Sequence, residues 1–222
     1  MLILLNGNHL QALEKISTSN NWFTLIIMFL FMGIVLLKGI DPNRLKASAY
    51  SLFNVNYMKA ESKENNNFFD GFQIVLFLFS VIVISLLAFS FKNYSLTTNY
   101  QDFSSFLSTF LILVSYFLLL RTLSYLFSNL FLVKNELSFF IISKYNYLYA
   151  ISFLLYIAIV LNEYANLQDL YFYYFAVFLF FIRFVIHMAT NKNLIFKKLF
   201  YFILYICAFE IAPLFILFKL LF

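Results

Sequence analysis

The residues best suited to chemistry lie toward the C-terminal end. Glu210 sits near the middle of an apolar run from Leu199 to Phe222, Cys207 precedes it by three residues and Pro213 follows by three. A charged side chain at the centre of a membrane helix costs roughly 2.5–3.5 kcal/mol on insertion scales, so an ionisable residue there is a functional candidate by default. Proline removes a backbone donor and leaves the carbonyl one turn earlier without its usual partner. Carboxylate, helix kink and thiol therefore share one helix face, a setting that could bind a proton or a cation. The competing reading, which we favour, is structural: a carboxylate paired with an arginine, or protonated and bonded to backbone.

Arg183 and His187 are four residues apart in the run Leu170 to Met188, so they share a helical face. If this run and the last one cross a membrane in opposite senses, Arg183 lies about 20 Å from one face and Glu210 about 15 Å from the other. On a hydrocarbon layer of roughly 30 Å their depths differ by only about 5 Å. We expect Arg183 and Glu210 to pair and fix helix packing. Arg121 interrupts a third run near its inner end. It is expected to snorkel to the interface, with packing against the bundle as the alternative. Glu163 and Asp169, with Tyr164 and Tyr171, flank a short loop and read as solvated charges rather than an acidic site. Asn93-Tyr94-Ser95 matches a glycosylation sequon, a signal too short to carry weight.

No catalytic constellation accompanies these residues. His9 and His187 are far apart, and Cys207 is the single cysteine. An intramolecular disulfide is excluded, and a zinc or haem site has no ligand spacing to support it, so no cofactor is expected. The four glycines, Gly7, Gly33, Gly39 and Gly71, form no GxxxG motif, P-loop or dinucleotide fingerprint. There is no repeat at a fixed period, and the loop lengths show no inverted symmetry of the transporter kind. The opening Met1-Leu2-Ile3-Leu4-Leu5 is too short for a signal-peptide core and has no basic segment before it, and neither end carries a lipidation motif, so no cleavage and no anchor other than the helices are expected.

The elements that position these residues follow from composition. Of 222 residues, 64% are hydrophobic and 11% charged, with a mean hydropathy of +0.88. Soluble domains carry about 25% charged residues, and a chain this size cannot hide so much apolar surface from water. The expected fold is all-α, a polytopic transmembrane bundle forming a single domain over residues 1–222. Six runs are long enough to span: about 22–38, 72–91, 103–123 with a helical extension to 133, 139–161, 170–188 and 199–222. The abundance of Phe (33) and Tyr (16) reads first as codon bias in an AT-rich genome, because Phe occurs in every run. A lining for an aromatic or isoprenoid ligand is the less favoured reading.

The net charge of +5 does not point to nucleic acid, because the basic residues are spread through loops and no nucleic-acid module is present. They set topology instead. With six spans, Lys38, Arg44, Lys46, Lys59, Lys63, Lys134, Lys144, Lys192, Lys197 and Lys198 fall on one side, and Lys15, Lys92 and Lys219 on the other. Ten against three places the first side in the cytoplasm and both termini in the periplasm. Within the long loop Gly39 to Gly71, Asp41-Pro42 is a strong helix start. Leu45, Ala49, Leu52 and Phe53 recur at helical spacing, which predicts a short amphipathic helix on the inner leaflet.

Asn21-Trp22, the loop Asp41-Pro42-Asn43-Arg44-Leu45, and Phe209-Glu210-Ile211-Ala212-Pro213-Leu214 followed by Lys219-Leu220 resemble a Bacteroidetes family of multi-span membrane proteins classed as a domain of unknown function. The resemblance covers nearly the whole chain. It implies residence in the bacterial inner membrane and supplies no catalytic residues. The function expected from these readings is a non-enzymatic subunit or assembly factor of an envelope complex, with membrane lipids and other membrane subunits as partners. The alternative is a small transporter or lipid-handling protein using Glu210, Arg183 and His187.

Overall fold

The computed structural model describes residues 21–51, 71–96, 103–130, 134–165 and 169–190 together with Lys219, with the side chains at 21, 95–96, 125–142 and 169 outside that description. The described chain is all helical: α1 (Asn21–Ile40), α2 (Pro42–Tyr50), α3 (Gly71–Leu96), α4 (Phe103–Leu130), α5 (Lys134–Ala165) and α6 (Asp169–Thr190). Five of these are long and apolar enough to cross a membrane, over Trp22–Ile40, Gly71–Tyr94, Phe103–Ser124, Ser143–Ala165 and Leu170–Thr190. The protein is a helical membrane bundle. The run 199–222, with Cys207, Glu210 and Pro213, lies outside the described residues apart from Lys219.

The turn from α1 to α2 takes a single residue. Pro42 cannot extend α1 and forces its predecessor out of helical backbone. Asp41 accordingly takes φ −155° and ψ 100°. Its carboxylate accepts from Asn43 N at 3.0 Å and Arg44 N at 3.1 Å, satisfying two of the free N–H groups that open α2. The helix does not simply float on a leaflet. Ser48 and Ser51 are buried, α2 packs against α5, and the Ser51 hydroxyl donates to the Asn146 carbonyl at 3.3 Å. Small side chains permit this close approach where the larger Leu45 only borders the apolar core.

α4 runs unbroken through Arg121, with no re-entrant break. At 28 residues it is about 42 Å long and outruns the hydrocarbon layer, as does α5 with 32 residues. α3 is the hub. It packs on α1, α4 and α5, and 56% of its apolar window is buried, against 22% for α1 and α4 and 28% for α6.

Hydroxyls on the membrane helices are bonded within their own turns: Ser80 to the Leu76 carbonyl (2.9 Å), Ser85 to Val81 (2.7 Å) and Ser152 to Leu148 (2.8 Å). This removes their desolvation penalty and leaves small, smooth surfaces at helix contacts.

Among the described residues, two apolar clusters fill the interior. One joins Phe23, Ile27 and Leu30 of α1 to Phe79, Val83, Leu86 and Phe89 of α3, Phe106 of α4, Ile151, Leu155 and Tyr156 of α5, and Phe172, Ala176 and Leu179 of α6. The other joins Leu37, Phe72, Leu76, Phe77, Val81, Leu113, Tyr145 and Tyr149. Phe79 stacks on Phe153 at 5.0 Å and meets Tyr156 edge-on at 5.8 Å. On α1 the opposite stripe (Leu25, Met28, Phe29, Met32 and Leu36) is exposed, as lipid contact requires.

One bond ties α5 to α1 deep in this interior: the Tyr156 hydroxyl donates to the Ile27 carbonyl at 3.1 Å. Interhelical hydrogen bonds in membranes are worth about 0.6 and at most about 1.7 kcal/mol. Tyr156→Phe should lower the melting temperature of the detergent-purified protein by roughly 2–5 °C. An unchanged melting curve would show the bond to be dispensable.

Candidate functional site

On α6 the buried positions Phe172, Ala176 and Leu179 are followed on the same stripe by Arg183 and His187. The inward face of this helix is thus apolar at one end and polar at the other, and the polar end meets the first buried turns of α5. Arg183 Nη2 donates to the Lys144 carbonyl at 3.2 Å. The His187 ring is buried and stands edge-on to Tyr147, 6.0 Å between centroids at 79°. One turn further along, the Tyr147 and Thr190 hydroxyls lie 2.9 Å apart in a hydrogen bond. Arg183 and His187 share a face, as their spacing predicts, and that face is turned to α5.

The same end of α5 presents a polar and small-residue stripe, Ser143, Asn146, Tyr147 and Ala150, all buried. α2 docks here through Ser51, whose single O–H is shared between the Ser48 carbonyl at 2.9 Å and the Asn146 carbonyl at 3.3 Å. The Ser48 hydroxyl is fully buried and has no hydrogen-bond partner among the described residues. Two arginines border the second apolar cluster at this end. The Arg44 guanidinium lies over the Phe72 ring at 4.7 Å. The Arg121 guanidinium lies over Phe77 at 5.3 Å and Tyr145 at 5.8 Å.

Arg121 therefore packs on the bundle while standing three residues from the end of its span. Cation–π attraction on partly desolvated rings, about 0.5–2 kcal/mol each, holds the guanidinium against them at that level.

Glu163 is exposed at the far end of α5, while the Asp169 side chain and residues 166–168 lie outside the described residues. Glu210 and Pro213 do as well. Among the described residues no group of three His, Cys, Asp or Glu side chains stands close enough to hold a metal ion.

What the arrangement offers is positive charge and hydrogen-bond donors on neighbouring helices. Several participants escaped the sequence reading: Tyr147, Thr190, Asn146, Ser51 and the stacked Arg44. The α5 spacing of Ser143, Asn146, Tyr147 and Ala150 was the one available signal, a polar and small stripe at helical period within an apolar run.

Arg183→Ala should destabilise the protein by about 1.5–3 kcal/mol, the range for a hydrogen bond from a charged donor. Tyr147→Phe and Thr190→Val should each have a smaller effect, and the double variant should lose no more than the larger single loss, because both remove one bond. Thermal unfolding of the four proteins in detergent reads this cycle. Strictly additive losses would exclude the bond as their shared cause.

A family described as Domain of unknown function (DUF4271) matches residues 23–221. No curated protein matches the chain, and no solved structure does. The match takes in the described helices from Phe23 onward, including Arg121, Arg183, His187 and the α2 joint, and the protein belongs to the DUF4271 family.

Proposed function

We propose that the protein is a non-enzymatic subunit or assembly factor of a bacterial envelope complex, resident in the inner membrane of Bacteroidetes. The observation that supports this reading is how the intramembrane polar candidates are used. Arg183 reaches a carbonyl of α5, His187 meets the ring of Tyr147, and Arg121 covers the rings of Phe77 and Tyr145. Groups that tie one helix to another build a rigid scaffold, and a rigid bundle whose loops are too small to hold a soluble domain suits a part held in a larger assembly. The excess of Lys and Arg on the α2 side orients that end to the cytoplasm and, with six spans, both termini to the periplasm.

The second reading, a small transporter or lipid-handling protein, draws on Arg183 and His187 lying together on the buried stripe of α6. In that reading Glu210 joins them along a polar path. In the favoured reading Glu210 is a structural partner of Arg183.

Purification in mild detergent followed by mass spectrometry should recover stoichiometric membrane partners, and a lone monomer would count against the subunit reading. Glu210→Gln and Glu210→Ala should both lower accumulation of the protein in membranes. Normal accumulation with lost cellular activity would reject the structural role and favour the transporter. Reporter fusions within 52–70 should report the cytoplasm, and periplasmic signal there would overturn the orientation.

A further inference from the structure

The two ends of the bundle differ in charge at the level where helix leaves hydrocarbon. Lys38 lies just before the end of the α1 span at Ile40, Arg121 just before the end of the α4 span at Ser124, and Lys144 just after the start of the α5 span at Ser143. The helices alternate in direction, so all three stand at one membrane face. α2 adds Arg44 and Lys46 there. The sole acidic side chain described at this face, Asp41, is engaged in capping α2. Among the described side chains of α1 and α3–α6, the opposite face carries Lys92 and Glu163, one charge of each sign. Over the full sequence, the loops assigned to the cationic face hold ten Lys and Arg against Asp41, Glu61, Glu64, Asp70 and Glu136.

Two of these cations have a fixed posture. Arg44 lies on Phe72 and Arg121 on Phe77 and Tyr145, and all three rings belong to one buried cluster. Stacking uses the faces of a guanidinium, and its in-plane N–H groups form the fork that matches phosphate oxygens; at Arg44 the Nη2 atom of that fork is itself buried. A guanidinium already ordered on an aromatic floor loses less freedom when an anion arrives. Ser48, four residues from Arg44 and on the same side of α2, adds a fully buried hydroxyl without a hydrogen-bond partner among the described residues.

We propose that this end of the bundle holds the phosphate headgroup of an anionic membrane lipid, with Arg44 and Arg121 as its fixed cations. Depth selects a lipid over a soluble partner: the cations sit at the ends of the apolar spans, where lipid phosphates lie. The site stands whether or not the protein has subunit partners.

The test uses the full chain in nanodiscs of phosphatidylcholine alone and of phosphatidylcholine mixed with phosphatidylglycerol. The mixed discs should raise the melting temperature by roughly 4 °C, and native mass spectrometry should find phosphatidylglycerol retained on the protein. Arg44→Gln with Arg121→Gln should remove at least half of that rise and the retained lipid, whereas Lys92→Gln at the opposite face should keep both. Lys38→Gln with Lys46→Gln alters exposed residues only and should also shrink the rise, which keeps the test open if the arginine variant fails to fold. Equal melting temperatures in the two discs would overturn the proposal. So would an undiminished rise in the arginine variant, or an equal rise from inorganic phosphate in detergent.

Discussion

In hydrocarbon there is no water to bond a backbone N–H or C=O, and each group left unsatisfied costs several kcal/mol. That constraint governs this protein more than any side-chain contact. It makes each crossing segment a continuous helix, and it explains why α4 passes through Arg121 without a break. It also explains why Ser80, Ser85 and Ser152 spend their hydroxyls on carbonyls of their own helices. Where the backbone must turn, at Asp41, the turn is placed at the end of a span and its exposed N–H groups are taken up by a carboxylate.

With backbone bonding settled inside each helix, packing has to come from shape and from a few polar ties. Lipid tails are as apolar as the side chains, so no hydrophobic gain drives one helix onto another. The aromatic residues supply contact area instead. At one end Trp22 meets Phe89 at 5.5 Å and Phe106 at 5.4 Å, and Tyr94 meets Tyr173 at 5.2 Å. Rings at that level suit a membrane interface. At the other end the ties are polar: Arg183 to the Lys144 carbonyl, Tyr147 to Thr190, Ser51 to the Asn146 carbonyl. α5 takes part in each of these polar ties, so the junction of α2, α5 and α6 is the place where a change in one helix would be felt by the others.

The asymmetry between an aromatic end and a cationic end has a double physical origin. Positive residues resist translocation and so collect on one side during insertion. Once there, the guanidinium groups of Arg44 and Arg121 gain from lying on ring faces that would otherwise meet headgroups and water. The same residues thereby serve topology and packing.

The helical membrane class, the helix start at Asp41-Pro42 and the shared face of Arg183 and His187 could be read from the amino acids alone, because each rests on a local rule: apolar length, capping chemistry and the helical period. Whether the arginines meet water or rings, and which serines carry a joint, could not be read this way. Arg121 lies on rings of α3 and α5, and α2 docks on α5 through Ser51. Those outcomes depend on which helices are neighbours and at what rotation. Spans that are apolar on nearly every side, such as α3, encode that rotation only weakly, so it is decided by the fit of the side chains once the helices assemble.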